Sequence, residues 1–465
     1  MKWVLATKLA ISLQAMAKQL IYAPGQQGKL LPPQSKSRIY YFLYYPPMKS
    51  AIFTFLFLCA CLYAQQDTIT MDIAVSTDKT LPIGVINFEL DNSNWSKLEE
   101  LPHKTLARDF NLSARFSAVE LEQYNLFALS REQAKHYVTG TLSMSEGQVK
   151  LECKLYAAAS REVIKGFAYT SSVEQIRTSL HRCADNVVHQ LWGVQGFAST
   201  QIAWVSKISG KKQVVIADYD GFRRKQITTH SSVNFLPAWS PDNSKIYFTS
   251  LRNGKPQLFE RHLAGTMDKL LFSQIDQAFG PAVNPKDGIL LFSIIGQSGA
   301  DIWYGNPQTG NAARLIYTAN IEVSPSWSPY GTAFLFSSDK GGQPQIYMAL
   351  RDGSDVQRVS FFGKYNESAV WSPDGERIAY CSMDGGKLNI YTSGIDGNDV
   401  QKLTFEGNNE RPTWSPDGMA IAFSSDRSGS PQIYIMRRDG SNATRITNTG
   451  ENSSPVWSNL TKGVP

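Results

Sequence analysis

The sequence predicts an all-β propeller of six blades, preceded by a small α/β (α+β) domain. The first observation is a six-fold repeated phrase. It reads Pro237-Ala-Trp239-Ser-Pro241-Asp-Asn, Pro281-Ala-Val283-Asn-Pro285-Lys-Asp-Gly, Pro325-Ser-Trp327-Ser-Pro329-Tyr-Gly, Ala369-Val-Trp371-Ser-Pro373-Asp-Gly, Pro412-Thr-Trp414-Ser-Pro416-Asp-Gly and Pro455-Val-Trp457-Ser. From each tryptophan, or Val283 in its place, to the next the steps are 44, 44, 44, 43 and 43 residues. A fixed period of about 40–45 residues with strand-rich content marks propeller blades. The second observation is that each unit holds the same four strand-like runs. The third is the phase of the array, which starts and ends part-way through a unit.

The unit from Pro412 to Thr447 shows the pattern most clearly. Pro412-Thr-Trp414-Ser is a short inner strand, and Pro416-Asp-Gly418 is its turn. Proline presets φ there, Asp supplies a local hydrogen bond, and Gly supplies a permissive backbone. Ala420-Ile-Ala-Phe-Ser-Ser425 is an apolar second strand, and Gln432-Ile-Tyr-Ile-Met436 alternates as a half-buried third strand. Arg438-Asp-Gly440 is a hairpin signal, and Thr444-Arg-Ile-Thr447 is the outer strand. The second strand recurs at Ile202–Ser206, Ile246–Ser250, Leu290–Ser293, Phe334–Ser338 and Ile378–Ser382. The array therefore opens on a second strand at Ile202 and closes on an inner strand at Trp457. Pairing Pro455–Ser458 beside Ile202–Ser206 would close the ring and remove the open edges that invite aggregation.

The small domain is expected over 79–196 and the propeller over 197–465. Pro82–Phe88 reads as a buried strand, His103–Asn111 as a short helix, and His136–Leu142 and Gln148–Tyr156 as strands joined by a Ser-Glu-Gly turn. Val163–Tyr169 adds a further strand. Ser172-Val-Glu-Gln175 has the form of a capping box. Its helix carries Val173, Ile176, Leu180, Cys183, Val187 and Leu191 at steps of three or four, so one face packs on the sheet. Gly193 is the expected stop.

Ahead of this domain, Met48-Lys-Ser50 and the apolar run Ala51–Ala64 have the form of a secretory signal peptide. Residues 1–47 carry six Lys/Arg and no Asp or Glu, and read as an extension upstream of the true start at Met48. A basic membrane-proximal tail is the alternative. Leu58-Cys-Ala-Cys61 loosely resembles a lipoprotein cleavage box, but Ala64 offers an ordinary site. From Gln65 onward the chain holds 39 basic and 40 acidic residues, which argues against a nucleic-acid binder. Cys153 and Cys183 can pair in an oxidising compartment; buried free thiols are the favoured reading.

Other chemistry is sparse. There is no Gly-x-Ser-x-Gly elbow, no phosphate loop and no hydrolase-sized segment after the propeller. His181 and His189 lie eight apart without the carboxylate of a zinc helix. Asp242, Asp287, Asp374 and Asp417 read as turn residues rather than metal ligands, and the repeated tryptophans as blade packing rather than sugar stacking. The expectation is a non-enzymatic binding scaffold with no cofactor and no metal, and a monomer. The rival is a periplasmic hydrolase or carbohydrate-binding lectin.

The junction Gly193-Val-Gln-Gly-Phe-Ala-Ser-Thr-Gln-Ile-Ala-Trp-Val205, with Tyr137-Val-Thr-Gly-Thr and Leu106-Ala-Arg-Asp-Phe, resembles the TolB family, periplasmic components of the Tol–Pal envelope system. The resemblance covers about Ile69 to Trp457 and departs at Val283-Asn284 and in the first 47 residues. It implies binding of a peptidoglycan-associated lipoprotein, Pal, through the propeller, contact with the inner-membrane protein TolA near the small domain, and a part in outer-membrane integrity and division. It also implies a mobile regulatory segment at Gln65–Asp78, including Asp67, Thr68, Ile69, Thr70, Met71 and Asp72.

Within the propeller, the loops entering each inner strand vary while the strands stay constant, as a binding face requires. The candidate partner-binding residues are Asn234, Phe235, Ala278, Phe279, Glu322, Val323, Ser324, Asn366, Glu367, Asn409, Glu410, Arg411, Asn452 and Ser453. They combine apolar anchors with hydrogen-bonding and charged groups.

Overall fold

The computed structural model describes residues 80–91, 95, 101–297 and 299–460. The expectations about the upstream extension, the signal segment and Gln65–Asp78 lie outside the described residues.

The small domain is one sheet with helices on it. β1 (Leu81–Ile86) lies parallel to β3 (Phe116–Leu121) on one side and to β4 (His136–Ser145) on the other, with β2 (Glu89–Leu90) also on β4. An antiparallel meander continues through β5 (Gln148–Ala157) and β6 (Val163–Ser171). Helices α1 (Pro102–Leu112) and α3 (Ile176–Trp192) share a core with the sheet, and the short α2 (Leu126–Arg131) sits among Ile86, Tyr137 and Ala158. The sequence pattern missed β3 and α2. β3 breaks its alternation at Ala118-Val119 and α2 is under two turns, so neither sustains a period.

Two expectations are corrected here. Ser172 forms no side-chain cap. Val173–Gln175 is instead a 3-10 turn, closed by the Gln175 N–H on the Ser172 carbonyl at 3.0 Å, and α3 starts after it. Gly193 does stop the helix, in the left-handed region at φ 67°, donating to the His189 carbonyl. Cys153 and Cys183 are bonded, not free thiols. Cys153 faces inward from β5 and Cys183 faces the sheet from α3, which brings their Cα atoms to 6.7 Å. That lies within the span a disulfide bridges.

The propeller has six four-stranded antiparallel sheets. β7 (Gln201–Ile208), β8 (Lys211–Asp218) and β9 (Lys225–Gln226) belong to the closing blade. The next five blades hold β10–β13 within 234–270, β14–β17 within 278–316, β18–β21 within 322–358, β22–β25 within 366–402 and β26–β29 within 409–445. The last strand, β30 (Asn452–Trp457), pairs antiparallel with β7, Asn452 opposite Ser206 and Trp457 opposite Ile202. The Ser458 N–H adds a bond to the Gln201 carbonyl at 2.9 Å. The ring is thus closed by the two ends of the repeat array. Trp239, Trp327, Trp414 and Trp457 are buried in the packing of the blades.

Strand direction gives the disc two distinct ends. The turns after the inner and third strands lie at one end. The loops between second and third strands, and those entering each inner strand, lie at the other.

Candidate functional site

Each inner strand enters the channel at the loop end. Its first residue is Asn234, Ala278, Glu322, Asn366, Asn409 or Asn452, and all six are buried. The asparagines face back into the blade before them. Nδ2 of Asn234, Asn366 and Asn452 donates to Oε1 of Gln213, Gln345 and Gln432 at 3.0, 2.8 and 2.8 Å. The same glutamine oxygens accept from Thr228, Ser360 and Thr447, each at 2.7 Å. In the blade of β22–β25, Asn389 stands in for glutamine and Asn409 donates to it at 3.3 Å. Glu322 reverses the polarity, accepting from Thr318 Oγ1 at 2.7 Å and Ser338 Oγ at 3.0 Å. The Nδ2 donors and Glu322 Oε1 are satisfied internally, as burial demands, whereas Oδ1 of Asn234 and Asn366 and Oε2 of Glu322 find no partner among the described residues. These side chains fix the loops. The expectation that they present themselves to a partner is corrected: Asn234, Ala278, Glu322, Asn366, Asn409 and Asn452 are all inaccessible.

The surface is built by the next two positions. In every inner strand the register slips by a bulge two residues in, as between Phe235 and Ala238 or Glu410 and Thr413. The bulged residues Leu236, Gly280, Ser324, Ser368, Arg411 and Ser454 all have positive φ, from 51° to 68°. Five of the six are not glycine, so a ring of backbone in a costly conformation surrounds the channel. Neighbouring blades hold it: the amides of Gly280, Ser368 and Arg411 donate to Thr249 Oγ1, Ser337 Oγ and Cys381 Sγ at 3.1, 3.2 and 3.2 Å. Proline follows in five of the six strands and has no N–H to leave unpaired. Phe279 and Ser324 therefore belong to β14 (Ala278–Val283) and β18 (Glu322–Trp327) rather than to loops.

The channel is a cavity of about 630 Å³. Its mouth has two halves. Leu236, Phe279 and Val323 line one; Glu367, Arg411 and Ser454 line the other. A pocket of about 380 Å³ adjoins the polar half and takes in Phe235, Glu410 and Ser453. Glu367 accepts from the Tyr365 hydroxyl at 2.8 Å, and burial, then this carboxylate, push the phenol above its usual range.

At the turn end the small domain docks. Arg115 reaches Asp417 at 3.4 Å, and Arg437 donates to the carbonyls of Asn111 and Phe116, each at 3.4 Å. Deeper in, His181 Nδ1 on α3 meets Asp109 of α1 at 2.8 Å, and the Tyr219 hydroxyl from the propeller donates to Asp109 at 2.8 Å. Arg177 pairs with Asp220 and stacks 3.7 Å from the Phe222 ring. Burial alone would push the His181 imidazolium down, but Asp109, then Asp218 and Asp220, outweigh it and hold it up to about 10. Asp109, His181 and Asp220 bring ligand atoms within 4.8 Å of one another, a spacing that could hold a metal. Arg177 already supplies Asp220 with positive charge, and protonated His181 supplies Asp109. Asp185 clamps the linker, accepting from the amides of Ala198 and Ser199 at 2.7 and 2.9 Å. Sequence reasoning missed this junction, although Arg108 and Asp109 lie inside the Leu106–Phe110 match.

Comparison with known proteins adds to this geometry. The sequence profile described as the TolB beta propeller domain matches residues 188–461. A Protein TolB homolog from Chlorobium chlorochromatii is 33% identical over 270 residues, 58% of this chain and 60% of that protein. The Chlorobium luteolum homolog is 31% identical over 227 residues, 48% of this chain and 51% of that protein. The match thus spans about half to three-fifths of these relatives' own length. The Tol-Pal system protein TolB of Bordetella pertussis is 26% identical over 312 residues, 65% of this chain and 70% of that protein. The crystal structure of TolB from Acinetobacter baumannii shares the fold, with a TM-score of 0.73 at 24% identity over 82% of this chain and 98% of that one.

Proposed function

The chain belongs to the TolB propeller family, and from that premise we propose that it is a non-enzymatic, periplasmic interaction scaffold of a Tol–Pal system. In this reading the channel mouth binds a Pal-like peptidoglycan-associated lipoprotein. The small domain contacts a TolA-like inner-membrane protein, and the segment Asp67–Asp72 is regulatory. The assembly supports outer-membrane integrity and constriction at division.

The observation that carries the reading is the mouth itself. It joins an apolar half at Leu236, Phe279 and Val323 to a charged half at Glu367 and Arg411. Protein interfaces combine such anchors with a polar rim. The ring of strained backbone beneath it is held by neighbouring blades, as a preformed site requires. Calorimetric titration of the purified protein with a Pal-like domain tests the proposal. Saturable one-to-one binding, competed by nothing but mouth ligands, is expected. Absence of binding by a folded Pal-like domain from the same organism would overturn it.

A further inference from the structure

The outer rim carries a second surface that the channel mouth does not include, with the Phe361 ring against Gly397 in the β24–β25 turn of the next blade. Just past each outer strand, one position recurs around the ring: Thr229, Ser273, Thr318, Phe361, Phe405 and Asn448. Each follows the residue pair that returns to the third strand of its own blade, as at Val359 and Leu403. Four blades place a polar residue there, so the scaffold does not need an apolar one. The two phenylalanines stand in adjacent blades and are 64% and 75% exposed. Phe362, beside the first, is 51% exposed and packs 5.6 Å from the Tyr391 ring. Lys402 bridges the gap, its ammonium 6.0 Å from Tyr391 and 5.4 Å from Phe405. Exposed aromatic clusters of this kind mark interaction surfaces.

The charge around the cluster selects the partner. The Arg358 guanidinium lies 5.6 Å from the Phe361 ring, with Nε bonded to the Ser360 carbonyl. Lys364 follows two residues after Phe362 and is exposed. Neither forms an ion pair among the described residues, whereas Lys402 pairs with Asp384 at 2.6 Å. Two uncompensated cations beside apolar rings complement carboxylates spaced by apolar side chains. Asp384 is taken up by Lys402, which leaves Arg358 and Lys364 as the cations open to a carboxylate.

We propose that the rim at Phe361, Phe362 and Phe405 is a second docking surface, which takes an extended segment of a partner protein bearing acidic and large apolar residues. It lies outside the channel, so both sites can be filled together.

The test selects fifteen-residue peptides from a random display library on the immobilised full chain. Recovered peptides should be enriched in Asp/Glu and in Leu, Ile or Phe. Their affinity should fall at least tenfold for Phe361→Ser/Phe362→Ser and for Arg358→Glu/Lys364→Glu, and should hold for the mouth variant Phe279→Ala. Phe405→Ser gives an independent variant, and thermal melts should match wild type, because exposed substitutions seldom shift stability by more than about 0.5 kcal/mol. Peptides without acidic enrichment, or equal binding to wild type and the rim variants, overturn the proposal. So does co-sedimentation with phosphatidylglycerol vesicles that the rim variants abolish while no peptide is selected. Wild-type dimerisation that the rim variants abolish would instead assign the patch to a second copy of the chain.

Discussion

At the turn end of the blades the chemistry repeats, and at the loop end it changes from blade to blade. The carboxylates of Asp242, Asp374 and Asp417 each accept the amide two residues on, at 3.0 Å in all three. Each also accepts from the serine two residues back, at 2.5–2.7 Å. Where the phrase departs, Asn284 repeats part of this role, accepting from the Lys286 amide at 2.9 Å and donating to the Gly331 carbonyl of the next blade at 3.1 Å. This uniform end is where the small domain is fastened. The variable end keeps a buried asparagine in four of the six blades and a bulge of positive φ in all six, but changes what stands over them. The comparison teaches that repetition here serves assembly and variation serves recognition. It also predicts that damage at the two ends should register in different measurements.

The largest effect should follow loss of ring closure. Deleting Ser454 onward removes most of β30 and leaves β7 without its partner. The expected outcome is loss of a cooperative unfolding transition, with aggregation from the exposed edge. A melt like that of the full chain would break the closure argument. Next comes the junction. Asp109→Ala strips His181 and Tyr219 of their shared partner in a fully buried setting. Breaking one side of such a pair costs about 3–5 kcal/mol, readable by urea denaturation. The same pair gives a pH signature. His181 titrates near 6.5 unfolded and near 10 folded. The folded state therefore binds the extra proton between those values, and this contribution to stability is complete below about pH 6.5. It is lost as pH rises toward 10. His181→Gln should flatten that part of the pH–stability profile, and an unchanged slope would show that another group carries it.

What was legible in the sequence follows the same division. The period exposed the blades, the closure of the ring and the turn role of Asp242, Asp374 and Asp417, because each depends on residues close together or equivalent by repetition. The mouth was legible only as a location. A bulge adds a residue and turns the following side chains to the other face. Asn366 and Glu367 precede the bulge and alternate, but no local signal says that Asn366 is the buried one and Glu367 the one that lines the channel. The junction was not legible at all. His181 and Asp109 are 72 residues apart, and Tyr219 and Asp109 are 110 apart. No local pattern announces such a meeting. The disulfide was missed for a related reason: it depends on how α3 lies across β5.

At the loop end, a mutation should leave stability intact and change affinity. Phe279→Ala removes the largest apolar side chain of the mouth's apolar half. Truncating a central aromatic anchor commonly costs about 2 kcal/mol in binding, which is roughly thirtyfold. Calorimetric titration against a Pal-like domain would measure it, with a urea transition as the control. Wild-type affinity would move the interface off the mouth. A large loss of stability would erase the distinction between the two ends.

The smallest effect is the sharpest test of why the bulges exist. Ser324 holds φ at 56°. A residue other than glycine there costs on the order of 1–2 kcal/mol, and glycine gives back part of the relief, about 0.5–1 kcal/mol, through its greater freedom when unfolded. Ser324→Gly should therefore raise stability by roughly 0.5 kcal/mol. If the strained ring is a preformed binding surface, the same change should weaken affinity slightly, because the site loses rigidity along with a side chain. If the bulge is only a way to fit six strands around an axis, stability should rise and binding should stay the same. Ser454→Gly, on the polar half of the mouth, repeats the experiment where no aromatic anchor is adjacent. Gains in stability at both positions, with affinity lost at either, would tie the strain to recognition rather than to closure of the ring.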